Sequence, residues 1–575
     1  MNGHEVAPWS ELLSRCTHDQ RPWLIVDAGS TSRSERRVIC YAELAQRARQ
    51  VGACLRRLVP AGARVLIVMD NSAESAIAVV GALVAGVVSV PVAAPSFGQT
   101  SERWLSATRA TYEDCGAQLL VGPSSVVDAC SLLLRVAHTS FSALEQVADG
   151  REAWTPSPAN ALALLQYTSG STARQRGVRL SHAQLVSNLE GIGCTVGVRS
   201  NDVGLCWLPL AHDMGLIGSL LFTTYWQIAL VLMKPQAFAT RPESWLALIC
   251  RERATLCAAP NSAYWLCATK LPEHKLNGLD LSSWRVAING AEPIHAETVR
   301  AFCRRFAPYG FQASAMRPAY GLAECATALC VAPSHRQLLV DRVDADVLEQ
   351  HGLALPPSPG TLRERELVAV GRPLPSHEVR IVGPGRGPVS ERHVGAIQVR
   401  GPSVTSGYFA APPEAEPLHA EDGWLWTGDR GYLAHGELYV LGRSKATLKR
   451  AGRSIDCAFI EGALRALPGV RAGRVAALGV PTLGVERLVV VVETDLREPD
   501  ARTRLSAHVH EAVRHAVAFG PDVVLLLTPG SIPHTTSGKV RYDGLRAAYC
   551  SGELASRALH TSDGALKAAQ EAPRS

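Results

Sequence analysis

Hydrophobic and polar positions alternate along the chain with two different periods. In residues 41–59 apolar side chains recur every three or four positions, which predicts an amphipathic helix. Residues 63–70 form a short β-branched run bounded by Pro60 and Gly62, which predicts a buried strand. Similar strands are predicted at residues 118–121, 161–165, 204–208, 228–233, 255–259 and 284–288. Helical segments such as 293–306 separate them, so the sequence predicts an α/β fold of mostly parallel sheets covered by helices.

The pattern changes after about residue 370. Short, turn-bounded segments of alternating hydrophobicity predict antiparallel strands in a small β-barrel-like subdomain. A last unit has predicted strands at residues 475–479, 488–493 and 523–527 and a helix at about 500–519. We therefore predict a large N-terminal domain over residues 1–443, a small mobile α+β domain over residues 444–550 and a disordered tail over residues 551–575.

One segment is apolar enough to be considered as a membrane span. In residues 76–94 the only polar side chain is Ser89, and this length nearly suffices to cross a bilayer. Two glycines and Pro91 interrupt the segment, and a buried helix that ends near Gly86 and is followed by a strand explains it equally well. Because the flanking pattern is α/β, we expect the helix and strand and no membrane span.

Composition indicates a folded protein and argues against nucleic-acid binding. With 575 residues the chain is too long for one core, and its 47% hydrophobic and 19% charged residues are typical of folded proteins. The formal net charge of +6 is spread without a basic run, whereas a nucleic-acid site needs clustered charge. The fifteen cysteines include no Cys-x-x-Cys pair, and the first residues do not form a secretory signal. We expect a cytoplasmic protein with reduced thiols.

The segment LQYTSGST, residues 165–172, is the sharpest local signal. A hydrophobic strand runs into small hydroxyl residues around a glycine, whose backbone N–H groups and hydroxyls suit phosphate oxygens. The Gly-Lys-Ser/Thr ending of a Walker loop is absent. On composition alone, an ordinary Ser/Thr/Gly turn is an equally good interpretation.

Seven motifs that follow one another along the chain favour the phosphate-binding interpretation over the ordinary turn. They are LQYTSGST (165–172), WLPLAHDMGL (207–216), NGAEP (289–293), YGLAE (320–324), WTGD (426–429), GRSK (442–445) and TTSGK (535–539). Their order and spacing resemble the adenylate-forming superfamily, which includes acyl-CoA ligases, luciferases, amino-acid adenylation domains and fatty acyl-AMP ligases. The resemblance spans about residues 10–550 and is strongest to the fatty acyl-AMP ligases, on WLPLAHDMGLIG, AAPNSAYWL (258–266) and the stretch that leads into YGLAE.

The resemblance implies a binding site for ATP and Mg²⁺. The β- and γ-phosphates would be held by Thr168, Ser169, Gly170, Ser171 and Thr172. The adenine pocket would be formed by Asn289, Gly290, Ala291, Glu292 and Gly321, with Tyr320 stacked on the base. Asp429 would accept hydrogen bonds from both ribose hydroxyls, Arg443 would reach the ribose or a phosphate, and Glu324 would bind the metal. Taken singly, the same residues are consistent with turns and solvated carboxylates.

The resemblance also implies a catalytic lysine, a histidine gate and a hinge. Lys539, in a glycine-bearing loop, would bridge the carboxylate and the α-phosphate and counter the charge of the transition state. His212 would lie where the fatty-acid tunnel meets the phosphates, although a core histidine is the general alternative. Lys445 would be the hinge about which the small domain turns. Residues 216–233 and 264–266 are consistent with an acyl tunnel and equally with plain core.

Two departures from the family pattern lie in the phosphate loop and after the hinge. Gln175-Arg176-Gly177 stands where many relatives have Pro-Lys-Gly, and Ala446 follows the hinge in place of an acidic residue. Residues 333–370 match the position of an insertion that in fatty acyl-AMP ligases is held to restrain the small domain, so that coenzyme A is not used. Adenylation should survive these changes, whereas thioester transfer is less secure.

The function that the resemblance implies is activation of a fatty acid to an acyl-adenylate, followed by transfer to the phosphopantetheine thiol of a separate acyl carrier protein. Such enzymes commonly supply polyketide or nonribosomal-peptide lipid biosynthesis. The alternatives are an acyl-CoA ligase and a non-catalytic nucleotide- or acyl-binding regulator. Chain length of the acid and oligomeric state lie beyond the sequence.

Overall fold

The computed structural model describes residues 8–27, 36–95, 102–134, 136–146, 156–168, 176–333, 337–412, 417–450, 453–465, 467–471, 473–482, 485–534 and 540–562. Its strands are, in chain order, β1 (Pro22–Asp27), β2 (Arg37–Cys40), β3 (Arg64–Met69), β4 (Val88–Ala93), β5 (Leu119–Gly122), β6 (His138–Ser140), β7 (Leu162–Thr168), β8 (Arg176–Ser181), β9 (Val203–Cys206), β10 (Ala229–Met233), β11 (Leu256–Ala259), β12 (Val286–Asn289), β13 (Met316–Tyr320), β14 (Cys330–Val331), β15 (Val340–Asp344), β16 (Glu364–Val368), β17 (Arg372–Pro373), β18 (Glu378–Val382), β19 (Gly395–Arg400), β20 (Leu425–Ala434), β21 (Glu437–Arg443), β22 (Thr447–Arg450), β23 (Arg453–Asp456), β24 (Val475–Thr482), β25 (Val485–Glu493), β26 (Val523–Leu527) and β27 (His560–Thr561).

The helices lie mainly between these strands. In chain order they are α1 (Trp9–Arg15), α2 (Tyr41–Leu58), α3 (Ala73–Val84), α4 (Glu102–Cys115), α5 (Ser124–Leu134), α6 (Phe141–Glu145), α7 (His182–Val196), α8 (Asp213–Gly215), α9 (Phe222–Tyr225), α10 (Pro235–Thr240), α11 (Glu243–Glu252), α12 (Asn261–Lys270), α13 (Ala296–Phe306), α14 (Ala345–His351), α15 (Cys457–Leu464), α16 (Pro499–Val517), α17 (Tyr542–Cys550) and α18 (Glu553–Ser556). A π-helical segment, Leu216–Leu221, joins α8 to α9.

Two large sheets form the N-terminal part. The first has six strands in the order β6-β5-β3-β4-β7-β8, parallel except for the antiparallel pair β7–β8. The second has nine strands in the order β17-β14-β13-β12-β11-β9-β10-β1-β2, with a parallel centre and antiparallel edges. The strands predicted from the hydrophobic runs all lie in these two sheets, which confirms the helix-covered parallel architecture.

The largest buried apolar cluster lies between the two sheets. It extends from Val65 and Ile67 on β3 to Leu205 on β9 and includes most of α2 and α3. These helices pack so closely that a Cβ atom at Gly81 would lie 2.7 Å from Val51 Cγ1. The apolar segment 76–94 is therefore core helix and strand, α3 and β4, as expected. Among the described residues no helix combines the length and hydropathy that a membrane span requires.

The later strands form smaller sheets. β18 to β21 make a four-stranded antiparallel sheet, which confirms the predicted antiparallel strands, but its edge strands β18 and β21 do not pair to close a barrel. β15 and β16 pair with each other within residues 340–368, which lie in the range 333–370 of the predicted insertion and are called the insertion segment below. The predicted domain boundary at residue 443 falls at the end of β21, where a 3-10 turn, Ser444–Ala446, leads into the last unit.

The last unit is an α+β layer structure. Its sheet, in the order β24-β25-β26-β27, carries α15 and α16 on one face and α17 on the other. The predicted tail begins too early in the sequence. Residues 551–562 contain α18 and β27, and Leu525 and Leu526 of β26 pair with Thr561 and His560. This edge position gives the backbone groups of β27 hydrogen-bond partners, and residues 563–575 lie outside the described part of the chain.

Candidate active site

The hydroxyl-rich motif begins at the end of β7, the first of two paired antiparallel strands. Thr168, the last residue of β7, pairs with Arg176, the first residue of β8. Ser169, Gly170, Ser171 and Thr172 lie outside the described residues. The predicted phosphate-binding motif therefore begins at the carboxyl end of β7, next to the edge strand β8.

The loop that precedes His212 is held in place by hydrogen bonds from Asn71 and from Gln166 of β7. The side-chain amide of Asn71 donates to the carbonyl oxygens of Leu208 and Met233, at 2.9 Å each, and its own oxygen accepts from the Leu210 N–H at 3.1 Å. Gln166 on β7 donates to the Ala211 carbonyl at 2.9 Å. The partly buried His212 thus follows a loop that is tied directly to the strand before the phosphate loop.

The carboxylate of Asp429 is the centre of a polar cluster. Its Oδ2 accepts a hydrogen bond of 2.5 Å from the Tyr320 hydroxyl, and its Oδ1 lies 2.9 Å from Arg443 Nε. The Asp429 N–H donates to Thr427 Oγ1 at 3.1 Å across Gly428, whose φ of +75° is easily adopted only by glycine. Burial, together with the Asp429 charge, holds the pKa of Tyr320 well above its ordinary value, so the phenol keeps the proton that it donates.

Glu324 lies in a neighbouring cluster that includes a residue not identified from the sequence. Its Oε1 accepts a hydrogen bond of 2.6 Å from the Tyr408 hydroxyl, and its backbone oxygen accepts from the Thr405 N–H at 2.8 Å. The guanidinium of Arg176 lies over the Tyr408 ring, 4.1 Å from the centroid. Tyr408 is thus part of the candidate site. In the sequence it is marked only by its position after Gly407 in TSGYF. In the structure Gly407 has a φ of +145°.

The NGAEP motif lies at the carboxyl end of β12, against β13. A Cβ atom at Gly290 would lie 3.0 Å from the Ala319 carbonyl oxygen, and Ala291 has a φ of +66°. Asn289 is fully buried, and its amide donates to Asn261 Oδ1 at 3.3 Å. Asn289 Oδ1 and Asn261 Nδ2 are both buried without a hydrogen-bond partner among the described residues. This leaves one acceptor and one donor at the carboxyl end of β12.

Glu292 and Gly321 have roles in the backbone around this pocket. The Glu292 carboxylate accepts from the backbone N–H of Ser262 at 2.9 Å and from its hydroxyl at 3.1 Å, in the first turn of α12. That carboxylate is therefore committed to a helix terminus, where the dipole favours negative charge. A Cβ atom at Gly321 would lie 1.8 Å from the Thr327 carbonyl oxygen, so only glycine fits there.

An apolar surface extends from His212 between the nine-stranded sheet and the helices that follow. A Cβ atom at Gly204 on β9 would lie 2.8 Å from Thr223 Cγ2 on α9, which shows which sheet face these helices cover. On that face Ala258, Ile288 and Ala319 are partly exposed. Met214 and Gly218 on the helical side are also partly exposed.

Several other candidates for the tunnel wall belong to the core, whereas Trp265 and Leu266 are partly exposed. Leu216, Leu220 and Leu221 of the π-helical segment are fully buried. Tyr264 is also fully buried, within the aromatic core formed by Trp245 and its neighbours. The apolar surface is therefore lined by fewer residues than the apolar stretch of the sequence contains.

The segment that carries Lys539 is anchored in the small domain at both of its ends. Lys539 itself lies outside the described residues, but His534 and Val540 on either side pair in a β-bridge. Two residues further, the Tyr542 hydroxyl donates to both carboxylate oxygens of Glu461, at 2.8 and 2.9 Å. The backbone of the hinge candidate Lys445 forms part of the 3-10 turn after β21. The segment and the hinge are thus attached to ordered secondary structure.

We expect the stability of the small domain to fall as the pH rises toward neutrality. Burial raises the pKa of Glu461 to about 7, so the folded domain holds a proton that the unfolded chain releases at an ordinary glutamate pKa. The stabilisation is complete below the unfolded pKa of about 4.3 and is lost as the pH passes through the folded pKa. Thermal unfolding between pH 5 and 8 should show this slope in the wild type and not in Glu461→Gln. Exposed Glu553→Gln is the control, and an unchanged slope in Glu461→Gln would contradict the assignment.

The insertion segment contacts the small domain through a network of ion pairs. Arg365 lies 3.3 Å from Asp456, with both side chains about 5% exposed or less. Arg453 of the small domain lies 2.9 Å from Asp346 and 3.3 Å from Glu349. Arg363 also pairs with Glu349 at 2.8 Å. The segment thus holds the small domain against the large one in this arrangement.

A histidine completes the contact between the two domains. The imidazole of His295 occupies the place where Gly462 of α15 lacks a side chain, since a Cβ atom there would lie 2.5 Å from His295 Cε1. Burial in this contact, together with the nearby Arg465 and Arg365 charges, lowers the pKa of His295 to about 4, so the ring is neutral near pH 7.

The chain is similar in sequence and in fold to several known proteins. A family model described as "AMP-binding enzyme" matches residues 18–409. The chain is 31% identical over 96% of its length to 97% of JamA of Moorena producens, named a medium-chain-fatty-acid–[acyl-carrier-protein] ligase. It is 34% identical, over 84% of its length and 81% of the relative, to the 4-hydroxyphenylalkanoate adenylyltransferase of Mycobacterium tuberculosis. A structure from a study of fatty acyl-adenylate ligases from E. coli and L. pneumophila superposes with a TM-score of 0.88, at 31% identity, over 96% of this chain and 99% of that one.

Proposed function

The chain belongs to the AMP-binding enzyme family, and from that premise we propose that it is a fatty acyl-AMP ligase. It condenses a fatty acid with ATP to give an acyl-adenylate and pyrophosphate. It then transfers the acyl group to the phosphopantetheine thiol of a separate acyl carrier protein. The names of JamA and of the fatty acyl-adenylate ligases support both the reaction and the carrier.

The convergence of Asp429, Tyr320, Arg443 and Glu324 carries this proposal. Two carboxylates, a protonated phenol and a guanidinium lie close together, where the YGLAE motif at the end of β13 meets the WTGD motif of β20. Asp429 can accept from two ribose hydroxyls, and the unpartnered amide atoms of Asn289 and Asn261 suit a base that has both a donor and an acceptor. Such a set recognises a nucleotide better than it recognises an acyl chain alone.

The residues of the site address the main barrier, which is the approach of two anions. Arg443 and Arg176 supply fixed positive charge around the position proposed for the phosphates, and Lys539 would add a third cation between the carboxylate and the α-phosphate. His212 would orient the acid where the apolar surface begins. Residues 168–172, which begin at the last residue of β7, would hold the β- and γ-phosphates through backbone N–H groups and hydroxyls.

Glu324 fits the role of a magnesium ligand. Its Oε1 accepts from Tyr408, which fixes the carboxylate, while its other oxygen has no hydrogen-bond partner among the described residues. Mg²⁺ is typically bound by one or two carboxylates together with substrate phosphates, and no cluster of three or more metal-binding side chains occurs in the described part of the chain. When bound, the ion would neutralise phosphate charge.

Exchange of labelled pyrophosphate into ATP tests the proposed function. With Mg²⁺ present, we expect exchange that depends on added fatty acid, because adenylation is reversible and needs the acid. Acid-dependent exchange distinguishes the enzyme from a non-catalytic nucleotide-binding regulator. If a panel of fatty acids of six to eighteen carbons gave no exchange above the rate without acid, the proposal would be wrong.

The ion-pair network favours a carrier protein over coenzyme A as acceptor. Ion pairs of Arg365, Asp456 and Arg453 oppose rotation of the small domain about Lys445, and contacts with a carrier protein, which free coenzyme A cannot make, would offset that cost. Sequence departures such as Ala446 lie on the same hinge side. We propose that residues 444–550 act as a lid whose movement is restrained. We also propose that the enzyme works in the cytoplasm, where ATP and carrier proteins occur.

We expect Arg365→Met to increase acyl-CoA formation severalfold while acyl-AMP formation stays within about twofold of wild type. Removal of the guanidinium leaves buried Asp456 with Arg430 as its remaining ion-pair partner, 3.6 Å away, and weakens the attachment of the small domain. Parallel assays with coenzyme A and with a holo carrier protein measure the effect. Exposed Arg342→Met, also in the insertion segment, is the matched control. If wild type already used coenzyme A as fast as carrier protein, the acyl-CoA ligase interpretation would replace ours.

A further inference from the structure

A buried arginine lies at the base of the apolar surface. Arg317 is the second residue of β13 and pairs with Ile288 on β12, which in turn pairs with Ala258 on β11. Partners in adjacent parallel strands point to the same face, so the three side chains form one row. The Arg317 side chain is on the face that the segment from α8 to α9 covers, and the residue is only 4% exposed.

This guanidinium has few partners in the described part of the chain. Its Nη1 donates to the Met316 carbonyl at 3.2 Å, and its Nε is buried with no partner among those residues. Among the described residues no carboxylate forms an ion pair with it. A buried charge is costly unless it is paired, and burial, followed by the nearby Arg285 charge, lowers the pKa of Arg317 from its ordinary value.

Arg285 shows how an arginine with a structural role is satisfied in the same region. It donates to the carbonyl oxygens of Val196 and Gly197 at 2.9 Å each, and its Nε donates to Asp202 at 2.9 Å. Those contacts cap the end of α7 and join it to β12. Arg317 makes no comparable set of contacts, so helix capping does not account for it.

The position of Arg317 is defined relative to the reacting end of an acid. Ala319, two residues further along β13, is partly exposed on the same face and precedes Tyr320 of the nucleotide cluster. Two residues of a strand span roughly 7 Å. A chain that enters with its carboxyl group near Tyr320 and His212 therefore passes Ala319 and reaches the level of Arg317 several carbons later.

We propose that Arg317 is a specificity-determining residue that binds an oxygen acceptor on the distal part of the acid. The inference rests on the proposed function and narrows its substrate class. The preferred acids carry a second oxygen group, a carboxylate or a hydroxyl, several carbons from the carboxyl group that is activated. The guanidinium donates to that oxygen, and an anionic group also neutralises its charge.

Matched acids test the inference. Octanoic, 8-hydroxyoctanoic and octanedioic acids, with the corresponding series from six to twelve carbons, are compared by kcat/KM for pyrophosphate release. At the preferred length we expect wild type to favour an oxygen-bearing acid over the plain acid by about tenfold or more. Arg317→Met should abolish that preference through KM while it retains activity on the plain acid. Arg317→Lys should restore part of the preference, and exposed Arg304→Met should keep all of it.

The outcomes separate this inference from the proposed function. If wild type favours plain acids at every length, or if Arg317→Met leaves the preference within twofold of wild type, Arg317 has no role in specificity. If no acid is turned over, the proposed function fails, and calorimetric binding of the dicarboxylic acids to wild type and Arg317→Met then decides the role of Arg317. If Arg317→Met does not fold, competition between paired acids for wild type decides whether the oxygen-bearing acid is preferred.

Discussion

Lys539→Ala should reduce the rate of acyl-adenylate formation by about a hundredfold or more. Loss of a cation that contacts developing charge only in the transition state lowers kcat more than it raises KM. The measurement is acid-dependent pyrophosphate release at saturating ATP and fatty acid. Exposed Lys449→Ala in the same domain is the control and should match wild type.

The same variant should still bind ATP, because the nucleotide cluster lies on the large domain. A Lys539→Ala enzyme with wild-type turnover would show that the cation at the α-phosphate comes from elsewhere, with Arg443 as the first alternative. A variant that lost ATP binding altogether would instead indicate that the segment acts in the ground state.

Asp429→Asn should raise the KM for ATP by about tenfold or more and leave the KM for the acid nearly unchanged. Each hydrogen bond from a hydroxyl to an ionised carboxylate contributes about 1.5 to 3 kcal/mol, and the substitution weakens two. It also removes the charge that pairs with Arg443. Initial rates at varied ATP give the result.

Exposed Asp422→Asn provides the control for that experiment, since Asp422 lies on the surface next to Arg380. Equal increases in both KM values for Asp429→Asn would indicate a general distortion of the site. Thermal unfolding of the two variants would show whether such a distortion occurs.

The sequence predicted the fold well because the parallel strands are short and fully buried. Runs such as 63–70 are apolar on both faces, and the central strands of covered sheets have this composition. The segment 76–94 was ambiguous by hydropathy, and Pro91 indicated the correct choice, because the helix ends at Val84 and proline lies in β4. The helix predicted from Pro293 begins later, at Ala296, since the NGAEP turn occupies the preceding residues.

The site was predicted as a set of motifs, but not as contacts between them. The motif WTGD identified Asp429, yet no local pattern indicates that Tyr320, 109 positions earlier, donates to it. Tyr408 was missed because one tyrosine in a turn carries no periodic signal, and its role depends on Glu324, 84 positions away. The Glu292 carboxylate was expected near the nucleotide, and only the position of α12 shows where it is used.

The hydrogen bond from Gln166 to the Ala211 carbonyl joins, through one side chain, the positions proposed for the two substrates. Gln166 lies on β7 two residues before Thr168, and Ala211 directly precedes His212. We expect a shift of either backbone segment to strain this shared hydrogen bond. Nucleotide and fatty acid should consequently show a coupling free energy, and linkage requires that each changes the affinity of the other by the same factor.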